Sequence, residues 1–140
     1  MLCADVMKSE VECVSPQERI EVVARRMKDK GVGFLPVCND AADVLGTITD
    51  RDIALRIVAE GRPSSTPVEE VMTREVVSCL ATDDIKQAER LMGKERKSRI
   101  LCVDEDGALV GVISLSDIAQ RDGARIAQTM QQVTQREART

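Results

Sequence analysis

Two kinds of hydrophobic pattern alternate along the chain, and the alternation occurs twice. Ile20, Val23, Ala24 and Met27 recur at the i, i+3, i+4, i+7 spacing of an amphipathic helix, and Ile85, Ala88, Leu91 and Met92 form a matching stripe. A short extended piece precedes each stripe (11–14; 76–80), and an apolar run follows it (35–38; 100–103). A polar turn (39–43; 104–107) then leads into a second apolar run (44–49; 109–114) and a second helical stretch (52–59; 117–121 or slightly beyond). Ser15-Pro16-Gln17-Glu18 reads as an N-cap, a proline at the first helical position and a capping-box glutamate, and the equivalent start in the second half lies near Thr82-Asp83-Asp84. The order predicted is β-α-β-β-α, twice.

Shifting the chain on itself by 65 residues aligns the two halves without a gap, and 13 of the 51 positions from Val6 to Arg56 are identical. Val6-Met7 falls on Val71-Met72, Gly46 on Gly111, and Asp52-Ile53-Ala54 on Asp117-Ile118-Ala119. The predicted division is 1–62 for the first repeat, 63–67 for a linker rich in proline and small polar residues, 68–122 for the second repeat and 123–140 for a C-terminal helix and tail. In that tail Ile126, Met130 and Val133 make a weak apolar stripe, which suits either a cap on the core or a dimer contact.

Composition narrows the function. With 43% apolar residues over 140 positions a core forms, and 31% charged residues of both signs give a polar surface. A net charge of −4 lacks the basic footprint of a nucleic-acid binder, and Phe34 as the one aromatic residue leaves no base-stacking platform. No run of 18 apolar residues and no leader pattern is present, so a cytoplasmic protein with no membrane segment is expected. The absence of histidine removes imidazole-based metal sites and acid–base catalysis. Five scattered cysteines (Cys3, Cys13, Cys38, Cys79, Cys102) form no C-x-x-C pair and are read mainly as small buried apolar residues, with a redox role for Cys38 or Cys102 as a minor alternative. No metal site and no catalytic residues are expected.

The repeated junctions Gly46-Thr47-Ile48-Thr49-Asp50-Arg51-Asp52 and Gly111-Val112-Ile113-Ser114-Leu115-Ser116-Asp117 carry the candidate chemistry. Each runs a strand directly into a helix, where unpaired backbone N–H groups suit a phosphate or a sugar. Thr49 and Ser114 each offer a hydroxyl. Asp52 and Asp117, three residues on, are able to accept both hydrogen bonds of a ribose diol. Arg56 and Arg121 lie one turn later on the same face. The same residues also make ordinary helix N-caps with i,i+4 ion pairs, and local pattern alone leaves the two readings level.

Over residues 4–122 the chain resembles a tandem pair of cystathionine-β-synthase (CBS) domains, the Bateman module, through the doubled Gly-x-x-Thr/Ser-x-x-Asp signature and the strands Leu35-Pro36-Val37-Cys38 and Ile100-Leu101-Cys102-Val103. The resemblance implies an α/β (α+β) fold in which two repeats pack with pseudo-two-fold symmetry. It further implies a homodimer and a regulatory rather than enzymatic role. The ligand implied contains adenosine: AMP, ADP, ATP, NAD or S-adenosylmethionine. Thr49, Asp52, Ser114 and Asp117 would hold ribose, Cys13, Val14, Ser78 and Cys79 would surround adenine, and Lys97, Arg99 and Arg51 would meet phosphate. Lys97 and Arg99 are expected to serve the Thr49/Asp52 site. The first repeat has uncharged Val32-Gly33-Phe34 at the equivalent place, so the Ser114/Asp117 site is expected to take a less charged ligand or none. The adenine nucleotide would act as a regulatory ligand, with no catalytic cofactor, and signal to an unidentified partner protein. The alternative is a ligand-free dimerisation or interaction module.

Overall fold

The computed structural model describes residues 1–121 and 129–135. Its helices and strands are α1 (Ile20–Lys30), β1 (Phe34–Cys38), β2 (Val44–Thr49), α2 (Asp50–Ile53), β3 (Ser78–Leu80), α3 (Ile85–Glu95), β4 (Arg99–Val103), β5 (Leu109–Ser114) and α4 (Leu115–Ala119), with residues 129–135 also helical. Short 3-10 turns precede each half, at Cys3–Asp5 and Val68–Glu70. The 65-residue offset carries α1 onto α3, β1 onto β4 and β2 onto β5 with identical bounds.

The chain forms two compact units whose limits are offset from the sequence repeats: Glu12–Val76 is one, and Met1–Val11 joins Val77 onward in the other. Each repeat's leading segment therefore belongs to the unit built from the other repeat. In the first unit Thr47 and Thr73 exchange backbone hydrogen bonds of 2.9 and 2.8 Å, so the segment after the linker lies along β2. In the second, Lys8 and Val112 exchange bonds of 2.9 and 3.0 Å, so the N-terminus lies along β5.

Within the 12–76 unit, β1 and β2 are antiparallel with Phe34 opposite Thr49, and residues 11–13 form no strand: only Val14 makes a parallel bridge, to Val37. In the other unit, β3 runs parallel to β4, which pairs antiparallel with β5 and sets Arg99 opposite Ser114. One core gathers Val14, Ile20, Val23, Met27, Leu35, Val37, Ile48, Ile57, Val68, Val71 and Met72. The other gathers the equivalent positions around Ile85, Met92, Ile100 and Ile113, together with Val133. Val133 is 5% exposed and Met130 49%, so the described part of the terminal stripe packs on the 77–121 core through Val133; Ile126 lies outside the described residues.

The helix starts depart from the sequence expectation in one half. Ser15 does not cap α1. Residues 15–18 make a turn closed by Glu18 N–H on the Ser15 carbonyl, and α1 begins after Arg19, whose side chain caps nothing. The N–H groups of Ile20 and Glu21 donate instead to the carbonyls of Thr66 and Ser64, both at 2.9 Å, so linker residues do the work of the cap. In α3 the expected local cap is present, with Asp84 accepting from Lys86 N–H at 2.9 Å. The last helices begin earlier than expected, at Asp50 and Leu115, because Thr49 and Ser114 are themselves the N-caps. Past Ile53 the first of these widens into a π turn, Ala54–Val58.

Candidate functional site

At each strand–helix junction a hydroxyl and a carboxylate lock together. Asp52 N–H donates to Thr49 Oγ1 at 3.1 Å, while Thr49 N–H donates to Asp52 Oδ2 at 3.0 Å. Asp117 N–H donates to Ser114 Oγ at 3.1 Å, and Ser114 N–H to Asp117 Oδ2 at 3.2 Å. Both are reciprocal capping boxes, which satisfy two otherwise unpaired N–H groups and hold the carboxylate on the strand end. The second carboxylate oxygens differ. Asp52 Oδ1 lies 3.7 Å from Arg56, whose guanidinium also donates to the Val71 carbonyl at 2.9 Å. Among the described residues no ion pair joins Asp117 to Arg121. The Asp52 side chain is only 14% exposed against 46% for Arg56, so the aspartate is the sheltered member of that pair.

The signature glycines have a packing reason that the sequence did not disclose. A Cβ on Gly46 would stand 2.7 Å from the Thr73 carbonyl oxygen and 2.8 Å from Met72 Sδ; on Gly111 it would stand 2.6 Å from Met7 Sδ and 3.0 Å from the Lys8 carbonyl oxygen. The repeated Val-Met segments thus lie on the repeated glycines. The matched spacing of Val-Met and Gly along the sequence was the available signal, but it does not say which copy covers which. Gly33 is a further residue that motif reading missed: a Cβ there would meet the Asp50 carboxylate at 2.6 Å, and Asp50 N–H donates to the Gly33 carbonyl at 3.0 Å. In the other unit Leu115 N–H makes the equivalent bond to the Ser98 carbonyl, at 2.8 Å.

The remaining expected residues divide by unit. Thr49, Arg51, Asp52, Cys13 and Val14 belong to the 12–76 unit; Ser114, Asp117, Lys97, Arg99, Ser78 and Cys79 belong to the other. Arg51 and Arg99 are exposed, and Lys97 is half-buried just before β4. Register sets Arg99 directly across from Ser114, on the same face of the sheet. Val14 and Cys79 are 1% and 7% exposed, so their side chains are core, and their backbones pair with β1 and β4, whereas Cys13 is half-buried and Ser78 exposed. Cys13 lines a cleft of about 480 Å³ with Glu12, Arg26, Asp29 and Lys30, which includes neither Thr49 nor Asp52.

Two groups of thiols lie apart from the junctions. Cys79 Sγ is 3.7 Å from both Cys3 and Cys102, and all three are buried. Hydrogen bonds from Cys102 and Cys79 lower the Cys3 thiol, while the bond to Cys3, with burial behind it, pushes Cys102 up to about 12. Cys38 Sγ lies 2.7 Å from Cys13 Sγ, and burial, then the bond to Cys13, pushes Cys38 up to about 12. No group of His, Cys, Asp and Glu among the described residues is arranged to hold a metal ion. None of the described helices is long and apolar enough to cross a membrane.

Residues 3–59 and 68–123 each match the model of the CBS domain. The chain belongs to the CBS-domain family. It is 41% identical over 115 residues to the CBS domain-containing protein YhcV of Bacillus subtilis, covering 82% of this chain and 81% of that one. Among solved structures it is similar to the CBS domain pair of protein MJ0100 in complex with 5′-methylthioadenosine and S-adenosyl-L-methionine, with a TM-score of 0.79 at 23% identity over 89% of this chain and 98% of that chain. It is also similar to CBSX2 in complex with AMP, with a TM-score of 0.73 at 20% identity over 86% and 94%. At these identities the two structures establish the fold: this chain is a CBS pair.

Proposed function

We propose that this CBS pair is a regulatory module that binds adenosine-containing ligands at its two strand–helix junctions and passes their occupancy to a partner protein. The observation that carries the reading is the doubled capping box. In each copy one aspartate oxygen is committed to the backbone, which aims the carboxylate, and the other lies outside the box. A vicinal diol is the ligand group that matches a fixed carboxylate beside a hydroxyl. The ligands named for MJ0100 and CBSX2 share one chemical part, adenosine, which supplies such a diol. In this reading Thr49 and Asp52 hold one ribose, Ser114 and Asp117 the other, and the segments at Cys13 and Val14 and at Ser78 and Cys79 surround adenine. Arg51, Lys97 and Arg99 meet phosphate. AMP, ADP, ATP, NAD and S-adenosylmethionine all fit this description. The module acts in the cytoplasm, without catalysis.

Register supports a second assignment for one residue. Arg99 faces Ser114 across β4 and β5, so its phosphate contact belongs to the Ser114/Asp117 junction rather than to Thr49/Asp52. Arg99→Ala separates the two: loss of affinity retained in Asp117→Ala but absent in Asp52→Ala assigns Arg99 to the Thr49/Asp52 ligand, and the reverse pattern to the other. Self-association is also part of the proposal. Leu55 and Val58, on the π turn after α2, are 49% and 73% exposed, which suits a partner surface of the same chain.

The test is thermal unfolding with each of the five ligands in turn. A ligand at 100 times its Kd stabilises the fold by about 2.7 kcal/mol, on the order of 5–10 °C for this chain length. A shift with one ligand that Asp52→Ala or Asp117→Ala removes supports the sensor. No shift with any ligand means that the aspartates serve only as helix caps and that the pair is an interaction module.

A further inference from the structure

Cys13 and Cys38 stand apart from the other three cysteines. The 65-residue equivalents of Cys3, Cys79 and Cys102 are Val68, Val14 and Val37, so that trio occupies core positions filled elsewhere by an aliphatic side chain. The equivalents of Cys13 and Cys38 are Ser78 and Val103, so Cys38 makes the same valine exchange as the trio and Cys13 alone stands where the other half has a polar residue. Yet their sulfurs meet at 2.7 Å, inside the contact distance of two sulfur atoms that do not interact, though they are 25 residues apart. The backbone holds them there. Val14 N–H donates to the Pro36 carbonyl at 2.9 Å and Cys38 N–H to the Val14 carbonyl at 3.0 Å, which fixes residues 13–15 alongside the end of β1. Val14 and Val37 bridge on one face; Cys13 and Cys38, their immediate neighbours, both point to the other. One thiol has access to solvent, since Cys13 is half-buried and lines the cleft that also holds Arg26 and Lys30, while Cys38 is 4% exposed.

We propose that Cys13 and Cys38 form a reversible disulfide within the 12–76 unit, with a low-molecular-weight disulfide as oxidant. The Cys13 thiolate attacks one sulfur of the oxidant and expels a thiolate, leaving a mixed disulfide on Cys13. Cys38 then loses its proton, attacks the Cys13 sulfur and expels the second thiol. Two protein thiols and one small disulfide become one protein disulfide and two small thiols. The order follows from access and from the hydrogen bond, in which Cys38 S–H donates to Cys13. The inference does not depend on nucleotide binding.

The experiment equilibrates the full chain with reduced and oxidised glutathione at a series of ratios, traps remaining thiols with a maleimide, and reads intact and peptide masses. The expected result is a loss of two hydrogen masses from the monomer, with three of the five thiols still alkylated after unfolding. The link should map to Cys13–Cys38, reverse with dithiothreitol, and vanish in both Cys13→Ser and Cys38→Val. All five thiols remaining at the most oxidising ratio would overturn the proposal. So would a reaction that stops at glutathione on Cys13, or a link that maps to another pair or joins two chains.

Discussion

Val14, Val37 and Val68 in one unit hold the places that Cys79, Cys102 and Cys3 hold in the other, and both trios sit in the core. The exchange teaches what these thiols are for: a cysteine is nearly the size of a valine, buries well, and needs no strong hydrogen-bond partner. A second exchange concerns the backbone. Each long helix ends in a left-handed residue, Gly31 at φ 67° and Arg96 at φ 57°, and each hairpin turns on another, Ala42 at φ 65° and Gly107 at φ 83°. These are equivalent pairs under the 65-residue shift. Each half has glycine where the other does not, so each carries one strained position that the other has relieved.

The two units should differ most at the signature glycines. Gly46→Ala should cost about 3 kcal/mol, because its Cβ meets a backbone carbonyl, and Gly111→Ala about 1–2 kcal/mol, because the nearest obstacle is the flexible Met7 side chain. Urea denaturation of both variants measures the difference; equal costs would mean that the methionine segments give way alike. The trios come next. Val37→Ala should cost about 2–3 kcal/mol, whereas Cys102→Val, which copies the other half, should change stability by less than about 1 kcal/mol. A larger loss in Cys102→Val would show the sulfurs to be more than filler. The left-handed positions should then respond with opposite signs: Arg96→Gly and Ala42→Gly each stabilise by about 1 kcal/mol, and Gly31→Ala destabilises by about 1 kcal/mol.

The smallest effect at neutral pH concerns Cys38, whose equivalent is Val103. Its thiol is raised from 9.0 to about 12, chiefly by burial. A raised thiol stays protonated in the fold while the unfolded chain ionises, so its contribution is complete below pH 9 and is lost as pH climbs to about 12. Cys38→Val should therefore flatten the fall in stability across that window, read as unfolding temperature against pH. An unchanged slope would mean that other groups govern the alkaline limb.

Several features were legible in the sequence because they are local. The two amphipathic stripes, the Asn39 and Asp104 turns, the second half's Asp84 cap and the hydroxyl–carboxylate spacing each depend on residues a few positions apart, where periodicity and capping chemistry decide the structure. The cap of α1 was not legible, although Ser15-Pro16 has the right local signs, because the helix starts later, at Ile20, where Thr66 and Ser64 from far along the chain satisfy the N–H groups of Ile20 and Glu21. Of the candidate site, the paired hydroxyl and carboxylate of each junction were legible from their spacing. The sheet partner of Arg99 and the Asp52–Arg56 contact emerged only with register and side-chain placement.

The duplication, the order of the long helices and hairpin strands, and the family are all carried by the chain, since a gapless 65-residue repeat and a doubled motif are properties of the sequence. The tertiary structure alone decided that each repeat lends its leading segment to the other's unit, and that the thiols of Cys13 and Cys38 meet. Both follow from backbone pairing between distant residues. Val-Met and the glycine are among the positions the two repeats share, so the Val-Met segment of one suits the glycine of either. Only chain connectivity and packing choose between them.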